Sequence, residues 1–79
     1  MANVAQRVID TIAEKILIER ERLVPSAAFK ADLEIDSLDI AEMVEELESE
    51  FNIAIPDEHV ENIKTIGQLI DYIEQHVKH

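Results

Sequence analysis

Apolar residues recur with helical spacing in three stretches of the chain, with polar residues on the opposite face of each stretch. The stretches are residues 1–18, residues 37–51 and the segment that begins at residue 65. This period of about 3.6 residues predicts three amphipathic helices. Their apolar stripes are Val4, Ala5, Val8, Ile9, Ile12 and Ile16 in the first, Ile40, Met43, Val44, Leu47 and Phe51 in the second, and Ile66, Leu69, Ile70, Ile73 and Val77 in the third.

Each predicted helix begins at a residue suited to capping. Asn3 precedes the first helix as a candidate N-cap, and Asp36 precedes the second. Asp36 can accept a hydrogen bond from a free backbone N–H and complements the positive end of the helix dipole. Thr65 and Gln68 have the spacing of a capping box at the start of the last helix.

The segments between the stripes predict one long loop and one short helix. Residues 19–36 lack periodicity, and Phe29, Leu33 and Ile35 are the candidate anchors expected to reach inward. Pro56 and the acids that follow it predict a short helix ending near Ile63. The expected fold is one all-α domain over residues 1–79. We expect a small four-helix bundle, with three longer helices, one short helix and a long first loop.

Chain length and charge limit the classes of function. Seventy-nine residues form too small a core for a cleft between two layers, which favours a binding or carrier module over an enzyme. The net charge of −11 disfavours nucleic acid and anionic membranes as partners and favours basic proteins. Acidic residues are concentrated in residues 31–61, which contain no Lys or Arg.

Other features of the composition concern location. The chain has no cysteine, which suits a reducing compartment. It has no apolar run long enough to span a bilayer, and its N-terminus lacks the basic and apolar regions of a secretory signal. We therefore expect a cytoplasmic monomer without membrane insertion.

Ser37 begins the acidic helix, and Leu38 falls among the acids instead of over the core. The helix also places like charges at i,i+4, as in Glu42/Glu46 and Glu46/Glu50, each pair costing roughly 0.2–0.5 kcal/mol. An unfavourable local pattern of this kind indicates a function for the face.

Two kinds of chemistry are excluded for this acidic centre because the sequence lacks the motifs that they require. Asp32, Glu34 and Asp36 have the 1-3-5 spacing of an EF-hand loop, but its sixth position is Ser37 and its twelfth is Met43, where glycine and glutamate are needed. Nucleophilic catalysis by Ser37 lacks a G-x-S-x-G turn, and no motif places a histidine (His59, His76 or His79) to activate it. The residues alone leave two interpretations open. Ser37 is either an ordinary helix start on an acidic adaptor, or a site of covalent modification whose phosphate would meet free N–H groups.

Two segments of the sequence have a pattern known from a protein family. They are residues 29–39, Phe-Lys-Ala-Asp-Leu-Glu-Ile-Asp-Ser-Leu-Asp, and residues 50–58, Glu-Phe-Asn-Ile-Ala-Ile-Pro-Asp-Glu. Together they resemble the bacterial-type acyl carrier proteins. The resemblance extends over essentially the whole chain, including the order of the helices. One departure is Glu34, because the family often has glycine two residues before the Asp of the Asp-Ser-Leu motif.

The resemblance implies a non-catalytic carrier. Ser37 would receive 4′-phosphopantetheine from coenzyme A through a magnesium-dependent phosphopantetheinyl transferase, with Asp36 and Leu38 beside it and no resident metal. Acyl groups would then be carried as thioesters for the enzymes of fatty acid biosynthesis. A dedicated carrier for a polyketide or an unusual lipid is the alternative within the family, and an adaptor with Ser37 unmodified or phosphorylated is the alternative outside it.

Two further sets of residues follow as expectations. Basic patches on the transferase and on acyl-elongating and acyl-transfer enzymes would dock on Leu38, Asp39, Glu42, Glu45, Glu46, Glu48, Asp57 and Glu58. An acyl chain would enter between the helix stripes, lined by Val44, Leu47, Ile55, Ile63 and Leu69.

Overall fold

The computed structural model describes residues 3–77, which fold into a small all-α bundle. Its helices are α1 Val4–Ile16, α2 Ser37–Phe51, α3 Asp57–Asn62 and α4 Ile66–His76. α1 packs against both α2 and α4. No strand occurs within residues 3–77, so the predicted fold class, with three longer helices and one short one, is confirmed.

The predicted caps are present and explain where three of the helices begin. Asn3 Oδ1 accepts a hydrogen bond from the Gln6 N–H at 2.8 Å, and Asp36 Oδ1 accepts one from the Asp39 N–H at 2.8 Å. Thr65 and Gln68 form the complete capping box. Each cap satisfies donors that the helix cannot pair internally.

The end of α1 is earlier than predicted. The helix was expected to continue to Ile18, but it ends at Ile16 because Leu17 adopts a left-handed conformation with φ 55°. Leu17 is exposed, whereas Ile18 packs against the core after the chain has turned. Met1 and Ala2, also included in the predicted helix, lie outside the described residues.

The core combines the helix stripes with anchors from the long loop. Phe29, Leu33 and Ile35 are buried, as predicted, and Leu23 and Ala27 are buried as well. The fully buried side chains of the helices include Val8, Ile12, Met43, Leu47, Ile66, Leu69 and Ile73. The loop therefore contributes a substantial part of the core.

Backbone hydrogen bonds tie the long loop to the start of α4. A short 3₁₀ turn, Arg20–Arg22, precedes this contact, and an isolated bridge pairs Ala28 with Thr65. The Gly67 N–H also donates to the Pro25 carbonyl at 2.9 Å. A Cβ on Gly67 would lie 3.0 Å from that carbonyl oxygen, so the close approach favours glycine there.

Candidate functional site

Ser37 is the first residue of α2, and its side chain is exposed. Asp36 fixes the entry of the chain into the helix through its bond to the Asp39 N–H. The start of a helix carries unpaired backbone N–H groups and a partial positive charge. A negatively charged group attached to the Ser37 hydroxyl would therefore lie in a favourable field.

Glu34 sets the path of the chain into this helix. It adopts φ 54°, a conformation that glycine reaches without strain and other residues reach at a cost. The turn is completed by the Ile35 N–H, which donates to the Phe29 carbonyl at 2.9 Å. The position where the family often has glycine therefore has, in this chain, a left-handed conformation that glycine favours, although glutamate occupies it.

Negative charge is crowded around the helix start. Repulsion from Asp36 raises the pKa of Asp39 above its ordinary value of 3.8, with smaller contributions from desolvation and from Glu42. Leu38 lies among these acids with 68% of its surface exposed. The sequence prediction of an exposed leucine on an acidic face is confirmed.

An open groove of about 660 Å³ adjoins Ser37, between the long loop, α2 and α3. Its volume is typical of a small-molecule site. Apolar side chains form much of its lining, and charged side chains from Lys30, Lys64, Asp57 and Glu61 also line it. The remaining lining residues are Ala28, Phe29, Ala31, Ser37, Ile40, Ala41, Val60 and Ile63.

Only Ile63 of the five predicted pocket residues lines this groove. Leu47 and Leu69 are fully buried in the core, and Val44 and Ile55 are buried as well. The apolar stripes did not indicate the groove, because most of its lining comes from the long loop and α3. A helical wheel centred on Ser37 would have found Ile40 and Ala41, which lie three and four residues further on.

Most of the predicted docking residues are exposed on α2 and at the start of α3. Leu38, Glu42 and Glu45 follow one another along one line of the helix, with Asp39 and Glu46 beside them. Asp57 and Glu58 lie in the first turn of α3.

Glu48 differs from the other predicted docking residues because its carboxylate has a structural partner. Its Oε2 accepts a hydrogen bond from the Ile55 N–H at 2.7 Å, and its side chain is only partly exposed. Glu48 therefore holds the turn between α2 and α3.

The sequence model of the protein family described as phosphopantetheine attachment site matches residues 6–73. The chain belongs to this family. The match leaves out only the first five and the last six residues, and it confirms the resemblance to acyl carrier proteins. The prosthetic group of the family is covalent 4′-phosphopantetheine, and carrier domains of this kind hold the group for transferases and acyl-handling enzymes.

The residues around the groove fit this prosthetic group. Attachment needs an accessible hydroxyl, and Ser37 offers one at a helix start that favours a phosphate. When bound, the group supplies a thiol on which an acyl chain is held as a thioester. The carrier chain itself has no cysteine, so the arm supplies the reactive sulfur.

His59, His76 and Asp32, which the sequence made candidates for other chemistry, each have a contact within the fold. His59 Nδ1 lies 2.8 Å from the Tyr72 hydroxyl, and the His76 ring stacks on Tyr72. Asp32 accepts a hydrogen bond from the Ala28 N–H at 2.7 Å, which holds the long loop. His79 lies outside the described residues. Within residues 3–77, no three metal-binding side chains are grouped to hold an ion, and no helix is long and apolar enough to cross a bilayer.

Proposed function

We propose that this protein is an acyl carrier protein of a dissociated (type II) fatty acid synthesis system, with 4′-phosphopantetheine attached to Ser37. The observation that supports this most directly is the position of Ser37. Its exposed side chain is at the start of α2 and also lines a largely apolar groove. That position suits both access by a transferase and shelter for an attached chain.

In the loading reaction, Ser37 contributes the nucleophile. Its Oγ forms the new bond to the phosphorus of coenzyme A that bears the pantetheine, and the bond from that phosphorus to the adenosine bisphosphate breaks. The hydroxyl proton leaves as the phosphodiester forms. Among residues 3–77, His59 and His76 contact Tyr72 and not Ser37, so we assign activation of the hydroxyl to the transferase and its magnesium ion.

Asp36 has two roles in this proposal. As the N-cap, it fixes the direction in which Ser37 leaves the helix start, because its bond to the Asp39 N–H orders the first turn. Its exposed carboxylate also lies next to Ser37 and is a candidate ligand for the transferase-bound metal.

The groove shelters the carried chain. Each CH₂ removed from water contributes roughly 0.8 kcal/mol, so even a short chain gains from the apolar side chains of Ile40, Val60 and Ile63. Longer chains require the helices to separate towards the core. In that state Val44, Leu47, Ile55 and Leu69 would become part of the lining, as the sequence predicted.

The acidic face recognises partner enzymes. Leu38, Asp39, Glu42, Glu45 and Glu46 run from beside Ser37 along the exposed side of α2, and Asp57 and Glu58 of α3 are exposed as well. Such charged surfaces accelerate encounter and dissociate readily, as a shuttle between several enzymes requires. Leu38 supplies an exposed apolar contact within this face, beside Ser37.

Intact-mass measurement tests the attachment site. The protein is incubated with coenzyme A, magnesium and a phosphopantetheinyl transferase, and we expect wild type and Ser49→Ala to gain one phosphopantetheinyl group. Ser49 is the matched control because it is an exposed serine on the same helix. Ser37→Ala should gain nothing. The proposal fails if wild type gains no mass, or if Ser37→Ala still gains the group.

Loading kinetics test the docking face. Glu42→Lys should lower kcat/KM for loading about fivefold at low salt, which corresponds to about 1 kcal/mol, and the loss should shrink as salt is added. Glu74→Lys is the charge-matched control because Glu74 is exposed on α4. Equal losses for both variants would show that net charge alone, and not this face, governs recognition.

Reconstitution tests the pathway. The loaded protein is supplied to purified type II condensing, reducing and dehydrating enzymes, and we expect its acyl chain to lengthen by two carbons per cycle. A protein that loads normally but is not elongated would remain a carrier, and the dedicated polyketide or unusual-lipid pathway would then replace fatty acid synthesis.

A further inference from the structure

The phosphate that Ser37 is proposed to carry adds negative charge where the protein is already most acidic. Asp36 and Asp39 flank Ser37, and their repulsion is strong enough to raise the pKa of Asp39. The whole segment from residue 31 to residue 61 contains no Lys or Arg. Any Lys or Arg partner for the phosphate must therefore come from outside that segment.

Lys30 and Lys64 bound this acidic segment in the sequence, and both line the groove that contains Ser37. The backbone of Phe29 brings the three residues together. Its N–H donates to the Lys64 carbonyl at 3.0 Å, and its carbonyl accepts from the Ile35 N–H at 2.9 Å, two residues before Ser37. The fold therefore places both lysines along the groove that Ser37 also lines.

Both lysine side chains are available for a new partner. They are exposed, and neither forms an ion pair among residues 3–77, where Arg7 pairs with Glu50 and Arg20 with Asp10. Asp57 and Glu61 of α3 also line the groove and compete for the lysines. A phosphodiester attracts an ammonium group through a charge-assisted hydrogen bond, and it would be tethered permanently beside the two lysines.

We propose that Lys30 and Lys64 are the cationic partners of the phosphate on Ser37, holding the root of the prosthetic arm against the groove. This inference rests on the proposed attachment at Ser37. It gives the two lysines a positioning role, since they touch the phosphate and not the reacting thioester.

Paired measurements on the apo and loaded proteins test this inference. Lys30→Gln, Lys64→Gln and Lys15→Gln each remove one positive charge, and Lys15 is the control because it lies on α1 beside a different cleft. The loaded form is left unacylated under reducing conditions, so that the phosphate is the only anion tethered at Ser37. Complete loading of every variant is verified by intact mass.

We expect Lys30→Gln and Lys64→Gln each to lower the Tm of the loaded form by about 2–4 °C more than that of the apo form, an excess that high salt removes. The ³¹P resonance of the phosphodiester should shift in both variants. Lys15→Gln should change both forms equally and leave the ³¹P resonance in place.

Two results would overturn the inference. One of them also overturns the proposed attachment at Ser37, and the other leaves that attachment intact. If wild type gains no mass, the attachment at Ser37 fails and this inference fails with it. If all variants load but Lys30→Gln and Lys64→Gln behave like Lys15→Gln, only the role of the two lysines is wrong.

Discussion

Glu34, two residues before the Asp of the Asp-Ser-Leu motif, adopts a backbone conformation that suits glycine. A left-handed conformation costs a residue with a Cβ roughly 1 kcal/mol relative to glycine. Glu34 is exposed, so no burial of its side chain offsets that cost. The strain is therefore stored in the turn that aims Ser37.

Comparison of two substitutions at this position measures the strain. Glu34→Gly and Glu34→Ala remove the same carboxylate, so their difference reports the backbone alone. We expect Glu34→Gly to exceed Glu34→Ala in free energy of unfolding by about 0.5–1 kcal/mol, since the greater freedom of glycine in the unfolded chain offsets part of the gain. Denaturant unfolding gives both values. Equal stabilities would mean that the turn is not strained.

Asp39 links the same site to pH. Folding raises its pKa above 3.8, chiefly through Asp36, so the folded protein binds this proton more tightly than the unfolded chain does. The contribution of Asp39 to stability is therefore largest below pH 3.8 and is lost as the pH rises through the raised pKa.

Asp36→Asn tests this coupling because asparagine retains the capping oxygen and removes the charge. We expect the pKa of Asp39, measured by ¹³C NMR titration of its carboxyl group, to fall towards 3.8 in this variant. Asp71→Asn is the control, since Asp71 is exposed on α4. An Asp39 titration that Asp36→Asn leaves unchanged would assign the shift to another cause.

At the scale of elements, the helices were predictable and their tertiary connections were not. α2 spans Ser37–Phe51, as the apolar stripe and the Asp36 cap indicated, because both signals are local in sequence. The end of α1 at Ile16 depends on the left-handed conformation of Leu17. Leucine has no preference for that conformation, so the sequence did not predict the helix end. The bridge from Ala28 to Thr65 joins segments 37 positions apart, so no periodicity within either segment could reveal it.

The same limit applies to the candidate site. Ser37 and the exposed Leu38 could be found from the sequence, since the motif and the helical wheel are local. The groove could not, because it forms only where the long loop meets α2 and α3.

The contact between Gly67 and Pro25 makes the loop-to-α4 connection testable. Alanine in place of a helical glycine normally stabilises a helix by up to about 1 kcal/mol. Here its Cβ would press on the Pro25 carbonyl, which is itself held by the Gly67 N–H. We expect the crowding to outweigh the gain, so that Gly67→Ala lowers the free energy of unfolding by about 1 kcal/mol. A higher free energy of unfolding for Gly67→Ala would show that the loop at Pro25 moves to accommodate the Cβ at little cost.

At the scale of the whole molecule, the acidic residues that are proposed to recognise partners also destabilise the folded protein. The net charge is −11, and residues 31–61 account for all of it because they contain twelve acids and no Lys or Arg. These acids around Ser37 repel one another. Few contacts offset this on α2: Arg7 pairs with Glu50 at 2.9 Å and lies over the Phe51 ring, at the end of the helix remote from Ser37. The uncompensated charge thus remains on the part of the helix that partners would approach.

Added salt should therefore stabilise the protein, because it screens repulsion between exposed charges. We expect the Tm of wild type, followed by circular dichroism, to rise between low salt and about 0.3 M NaCl. Glu42→Gln/Glu46→Gln should raise the Tm at low salt by about 4 °C and flatten the salt dependence, since it removes like-charge neighbours along α2.

Glu14→Gln/Glu74→Gln makes the same change in net charge on exposed positions of α1 and α4. If repulsion within α2 limits stability, this control keeps more of the wild-type salt slope than the α2 variant does. Equal slopes for the two double variants would assign the effect to net charge alone, and a wild-type Tm that salt leaves unchanged would rule out self-repulsion as a limit on stability.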